Sequence, residues 1–193
     1  MLIVLTGIDG SGKTTAARSL AAAAREKGSS ALLLNNYAGR RRMSLLSARL
    51  GIRLPARLAD ALETTMRVFN VLVSTVRASR FQGLVVMDRH LHCQLALREA
   101  RGLRRGWLLP WLLRRLPAPD LVLYLDVSPE AAHQRIVARG TDEESVAELT
   151  ALRNAYRALP EYAGMVKIDA DGPPAEVVAR LVDAVDFRRQ LKV

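Results

Sequence analysis

The chain has 193 residues, half of them apolar, and a formal net charge of +10. That length supports one sizeable core and excludes two comfortable domains, and no uncharged apolar run reaches the ~20 residues of a membrane span. A lone cysteine, Cys93, excludes an internal disulfide and suits a reducing cytoplasm, and the start of the chain carries no charged leader of the kind a signal peptide needs. The positive charge is almost all arginine, with lysine only at Lys13, Lys27, Lys167 and Lys192. Arginine's planar fork suits phosphorylated ligands, the same charge suits non-specific nucleic-acid contact, and a GC-rich genome produces it without function. Charge alone decides nothing.

Leu2-Ile3-Val4-Leu5 predicts a strand, and Gly7-Ile8-Asp9-Gly10-Ser11-Gly12-Lys13-Thr14-Thr15 follows it. Gly7 to Thr14 fits G-x-x-x-x-G-K-[ST] without a mismatch and opens a helix near Thr14, which is the context of a phosphate-binding loop. Gly7, Gly10 and Gly12 let backbone N–H groups approach phosphate oxygens, and the helix start adds free N–H groups and the positive end of its dipole. Lys13 supplies a mobile charge for the outer phosphates, and the Thr14 hydroxyl is placed to ligate magnesium. This stretch predicts binding of a nucleoside triphosphate.

A helix is expected over Thr14–Lys27, stopped by Gly28, and Ala31–Leu34 reads as a parallel strand buried on both faces. The loop Asn35 to Arg42 lies beyond that strand's end, where open α/β sheets bind ligands; Arg40, Arg41 and Arg42 are its candidate contacts. Pro55 to Arg80 predicts a long helix with Leu58, Leu62, Met66, Phe69, Val73 and Val76 along one face, and Arg67 and Asn70 on a neighbouring one. Leu84–Met87 is a third strand ending in Asp88-Arg89-His90, and Leu91–Arg101 a helix.

Gly102 to Pro119 brackets Trp107-Leu108-Leu109-Pro110-Trp111-Leu112-Leu113 with two arginine pairs. It reads either as an amphipathic helix touching a membrane or partner, or as a helix packing its tryptophans on the body. Amphipathicity is ordinary for surface helices, which favours the second. Leu121–Leu125 is a fourth strand, ending at Asp126. Ser128 caps a helix with Pro129 at its first position, and that helix stops at Gly140. Thr141-Asp142-Glu143-Glu144 begins another in a capping-box pattern, extending to about Ala158. Met165–Ile168 is a fifth strand, and a final helix starts at Pro173 or Pro174. The alternation predicts one α/β domain over residues 1–193, a five-stranded parallel sheet with helices on both faces.

Three features narrow the choice among phosphate-loop proteins. No Asn-Lys-x-Asp guanine signature is present; Arg135-x-x-x-Arg139-Gly140 lies between two helices, as in the lids of small kinases; and Asp88-Arg89 sits at a strand end. With these, the chain resembles the thymidylate kinase family of nucleoside monophosphate kinases, nearly end to end. The phosphate loop with its acidic Asp9, Asp88-Arg89-His90, Leu123-Tyr124-Leu125-Asp126-Val127-Ser128-Pro129-Glu130, and Ile168-Asp169-Ala170 before Glu176-Val177-Val178 carry the likeness.

The resemblance implies a three-layer P-loop fold with a short lid at about 135–145, and magnesium-dependent transfer of the ATP γ-phosphoryl group to a nucleoside monophosphate, dTMP to dTDP as first expectation. It implies that Gly7, Asp9, Gly10, Ser11, Gly12, Lys13, Thr14 and Thr15 form the ATP loop, with Thr14 and Asp88 at Mg2+. Asp9 would meet the acceptor's sugar hydroxyl and Arg89 its phosphate. Arg135 and Arg139 would close over the transferring group, and Arg67 would face the base. Family members are commonly homodimers packed through long helices, a role open to Pro55–Arg80. No membrane is expected as a partner, and nucleic acid is not expected.

The chain departs from the family on the acceptor side. Glu63 stands where the family's base-stacking phenylalanine is, and Cys93-Gln94-Leu95-Ala96-Leu97-Arg98 replaces Ser-x-x-Ala-Tyr-Gln. Asn35 to Arg42 stands in place of Thr-Arg-Glu-Pro-Gly-Gly, and Asp142-Glu143-Glu144 lies where bacterial lids carry another arginine. Two alternatives stay open: a kinase for another nucleotide, nucleoside or biosynthetic acceptor read by Glu63 and Arg98, and an ATP-binding regulatory or nucleic-acid-binding protein. His90, His92 and Cys93 lack a second cluster to complete a metal site, and His133 and Cys93 read as structural.

Overall fold

The computed structural model describes residues 1–36, 55–140 and 144–190; Arg40, Arg41 and Arg42 lie outside them, as do Asp142 and Glu143. The elements are β1 (Leu2–Thr6), α1 (Lys13–Glu26), β2 (Ala31–Asn35), α2 (Ala56–Ser79), β3 (Leu84–Asp88), α3 (Leu91–Ala100), α4 (Leu108–Arg115), β4 (Leu121–Asp126), α5 (Pro129–Arg139), α6 (Val146–Ala158), β5 (Val166–Asp169) and α7 (Pro174–Gln190), with a 3-10 turn at Pro160–Gly164. The five strands form one sheet in the order β2-β3-β1-β4-β5, every pairing parallel.

β1 and β3 lie inside the sheet, which is why their sequences are continuous apolar runs: Leu5 pairs with Asp88 across one ladder and with Leu123 across the other. Alternation along β1 sorts its side chains between two layers. Ile3 and Leu5 join Ala16, Ala17 and Leu20 of α1, while Val4 joins Leu34, Val85 and Met87 under Ala78 of α2. α1 packs over β2 and β3 and, beside it, α7 packs over β4 and β5; α2, α3 and α6 pack side by side in the other layer. Each fully buried leucine or isoleucine in these layers contributes about 1.5–3 kcal/mol.

Four sequence expectations are corrected. β2 is an edge strand in which only Leu34 is fully buried, because a strand with one neighbour is covered on one edge alone. α2 turns its apolar row outward: Leu58, Leu62, Met66, Phe69, Val73 and Val76 are all exposed, while Asp60, Glu63, Thr64, Arg67 and Ser74 face inward beside Val71. The tryptophans of α4 do not pack on the body; Leu109 and Leu112 do. The capping box observed is at Ser145 and Glu148, where α6 starts at Val146, and not in the stretch from Thr141 to Glu144, whose first three residues lie outside the described ones. Ser128 caps α5 as expected, accepting from the Ala131 N–H, and Gly140 ends it with φ of 60°.

Candidate functional site

The site forms at the C-terminal edge of the sheet, where β1 runs into the glycine loop and β3 ends at Asp88. Gly10 has φ of 80°, and a Cβ there would lie 2.4 Å from the Ala132 carbonyl oxygen, so both conformation and space demand glycine where the loop rests on α5. Gly12 caps α1 in the left-handed region with open space before it. No side chain caps α1 and no acidic residue occupies its first turn, so the N–H groups of Lys13, Thr14 and the exposed Thr15 are left for an anion.

Lys13 is folded back into this loop. Its ammonium donates to the Ile8 carbonyl at 2.5 Å and to the Ser11 hydroxyl at 3.2 Å, and lies 3.9 Å from the Asp9 carboxylate. Burial and the nearby Arg89 charge push its pKa down to about 8, against the pull of Asp9 and Asp88. A desolvated ammonium held by exchangeable partners is ready to turn onto a phosphate, which would raise its pKa again.

Thr14 and Asp88 meet across the site, the hydroxyl donating to Oδ2 of Asp88 at 2.6 Å. Oδ1 of Asp88 is buried without a hydrogen-bond partner among the described residues. A hydroxyl beside an orphaned carboxylate oxygen is a hard oxygen donor set, and it fits Mg2+, which binds through one or two protein oxygens and keeps its waters.

Arg89 has φ of 74°, the left-handed region, and it is the sole non-glycine there among the described residues. That costs on the order of 1–2 kcal/mol and persists because both flanking backbone groups are pinned. Its N–H donates to the Leu5 carbonyl at 3.0 Å, and its carbonyl accepts from Asn36 Nδ2 at 2.7 Å. The strained turn aims the guanidinium at Asp9, whose Oδ1 accepts from Nη2. Burial works against the Arg89 charge, but Asp9, Cys93 and Asp88 together outweigh it and hold the pKa above the ordinary arginine value.

Arg67, Glu63 and Arg98 lie along the inner face of α2 and its packing with α3, but they do not converge as a free set. Arg67 donates from Nε to Gln94 Oε1 at 3.2 Å and from Nη1 to the Asn36 carbonyl at 3.0 Å. Glu63 is gripped by both terminal nitrogens of Arg101, at 3.1 and 3.4 Å. Arg98 approaches Asp60 at 3.7 Å, and Gln94 Nε2 donates to the same carboxylate at 3.1 Å. On the opposite flank, Arg135 donates to the carbonyls of Ala170, Asp171 and Gly172, the loop between β5 and α7, while Arg139 stands exposed at the end of α5. To reach a transferring phosphate, Arg135 must release those carbonyls.

Several participants were not read from the sequence. Asn36 is fully buried and holds Arg89, Ser74 and Arg67 at once. Asp126 is paired by Arg153 at 2.7 Å and Arg157 at 2.9 Å; burial raises its pKa, but those hydrogen bonds and the two arginine charges together outweigh burial and keep it low. A signal existed for Gln94, a polar residue amid buried α3 positions, and for Arg153 and Arg157, one helical turn apart. Asn36 carried none. His90 and His92 are neutral: burial pushes them down to about 3 and about 4. His133 Nδ1 and the Glu144 carbonyl lie 2.8 Å apart, joining α5 to the residues just before α6.

The family model described as thymidylate kinase matches residues 5–181. The chain is similar to a probable thymidylate kinase of Thermococcus onnurineus, 32% identical, covering 83% of this chain and 84% of the relative. It is also similar to one of Archaeoglobus fulgidus, 30% identical over 100% of this chain and 98% of the relative. One of Sulfurisphaera tokodaii is 28% identical over 95% and 94%.

Proposed function

The chain belongs to the thymidylate kinase family, and we propose that it transfers the γ-phosphoryl group of ATP to dTMP, giving dTDP. The observation that carries this reading is the juxtaposition of two half-sites around one sheet edge: an uncapped phosphate loop with Lys13, and a strained Arg89 facing it across Asp9. Phosphoryl transfer asks a protein mainly to position its groups and to neutralise charge. The loop amides and Lys13 take the ATP phosphates; Arg89 takes the acceptor phosphate; Asp9 orients Arg89 and accepts from the acceptor's sugar hydroxyl. Thr14 and Asp88 would hold Mg2+, which would supply positive charge to offset that of the transferring phosphate. Arg139 closes over the transferring group with Arg135, once Arg135 has left its carbonyls.

On the acceptor side, Arg67 faces the base and is steadied by Gln94 and Asn36. Glu63, bound to Arg101, and Arg98, beside Asp60, border the same inner face of α2. The outward apolar row of α2 supports a homodimer packed through that helix, since a run of exposed leucine, methionine and phenylalanine is a surface that gains from being covered. Among the described residues no helix is long and apolar enough to cross a membrane. The buried thiol Cys93 is compatible with work in a reducing cytoplasm.

The test is ADP release by the purified protein with ATP and Mg2+ over a panel of nucleoside monophosphates and free nucleosides. Turnover of dTMP well above the rest supports the assignment. Turnover of another acceptor with silence on dTMP removes thymidylate and keeps the ATP half.

A further inference from the structure

The chain's two tryptophans both lie on α4 or its cap, and neither is in the core: Trp107 is 74% exposed and Trp111 42%, with Leu108 beside them at 42%. Leu109 and Leu112 on the opposite face anchor the helix. The exposed face is organised. The indoles of Trp107 and Trp111 meet edge-on at 6.4 Å, and the Arg115 guanidinium lies 6.0 Å above the Trp111 ring. From Arg101 to Pro119 the sequence holds five arginines and no acidic residue. Glu63 pairs with Arg101 and Glu161 with Arg105, while Arg104, Arg114 and Arg115 enter no ion pair among the described residues.

We propose that this face docks the protein on an anionic lipid surface, with Trp107, Leu108 and Trp111 entering the headgroup layer and Arg104, Arg114 and Arg115 meeting lipid phosphates. Indole rings and leucine beside unpaired arginines are the composition of an interfacial helix face, in which the rings lie at headgroup depth and the guanidinium groups remain among the phosphates. Other occupants fit less well. A second copy of the chain would bring the same unpaired arginines against one another. A nucleic-acid strand would stack successive bases on parallel ring faces, but the two indoles stand edge-on to each other with Arg115 over one of them, and Leu108 offers a base no hydrogen bond. Access to the catalytic centre is preserved: the chain passes from α4 into the N-terminal end of β4, and the phosphate loop and Asp88 lie at the other edge of the parallel sheet.

Because the protein has no other tryptophan, its tryptophan fluorescence, excited apart from tyrosine, reports on this face alone. The whole chain is mixed with vesicles of phosphatidylcholine, or of phosphatidylcholine with roughly 30% phosphatidylglycerol, at about 0.15 M salt. The expected result is a shift of emission to shorter wavelength on the anionic vesicles only, with quenching when the lipid acyl chains are brominated. Trp107→Ala/Trp111→Ala and, separately, Arg114→Glu/Arg115→Glu are expected to lower co-sedimentation about tenfold or more while ADP release stays unchanged. Absence of the shift overturns the proposal. So does co-sedimentation without quenching, which marks adsorption through net charge, and so does a shift obtained with single-stranded oligonucleotide or polyglutamate but not with vesicles.

Discussion

The guanidinium of Arg89 donates to the carboxylate of Asp9, so a residue of the phosphate loop and a residue after β3 close on each other across the space between two half-sites. With the proposed roles, an acceptor phosphate must share Arg89 with Asp9. Asp9→Ala is therefore expected to lower kcat/KM for the acceptor by about 10–100-fold with little change in KM for ATP. Combining it with Arg89→Ala should cost less than the sum of the two, because Asp9 acts partly through Arg89. Steady-state kinetics of the four proteins checks both; strict additivity would separate the two roles.

Lys13 makes an opposed pair of pH predictions. Its pKa of about 8 in the folded protein is below its ordinary 10.5. The unfolded chain therefore binds more protons between those values, and this group's contribution makes stability rise with pH from about 8 to 10.5. Activity runs the other way: kcat/KM for ATP, which reports the free enzyme, should fall as pH rises through about 8. The limb in kcat should lie higher, since bound phosphates favour the charged form. Lys13→Met should abolish transfer yet keep the fold, gaining up to about 3 kcal/mol at pH 7 by removing a desolvated charge. ADP release and urea unfolding across pH 6–10 test the set.

Asp88 and Thr14 predict the metal dependence. Asp88→Asn removes a charge from the proposed Mg2+ donor set, and Thr14→Val removes the hydroxyl while keeping the shape. Both should raise the Mg2+ concentration needed for half-maximal rate about tenfold or more, and Thr14→Ser should restore it. Chelation should stop turnover in the wild type and leave the thermal midpoint of the ATP-free protein unchanged.

Glu63→Phe addresses the acceptor side. Glu63 is buried, but Arg101 is 31% exposed and can turn to water once its partner is gone. The stability cost is thus expected at about 1–2 kcal/mol, below that of breaking a fully buried pair. Restoring an aromatic at this position should lower KM for dTMP, measured against an unchanged KM for ATP. No change in the dTMP constant would detach Glu63 from the base.

The sequence by itself determined the alternating α/β order, the phosphate loop and the residues Asp88 and Arg89, because each is written in contiguous residues whose physics is local. Gly7 to Thr15 follows a strand and opens a helix, and Ser128-Pro129 and Gly140 bound α5 by short-range capping. Only the tertiary structure decided what lies across the helices. Asn36, Glu63, Arg67, Gln94 and Arg101 come together because α2 and α3 pack beside the end of β3, and no spacing in the chain encodes that meeting. The same packing reversed the expected sense of α2: a helix with one apolar and one mixed polar face is buried by whichever face its neighbours can satisfy. Here Asp60, Glu63, Arg67 and Ser74 find hydrogen-bond partners inside, so the apolar row is left outside. In α4 likewise, the periodicity allowed either face inward, and the fit of Leu109 and Leu112 against the body left the tryptophans in solvent.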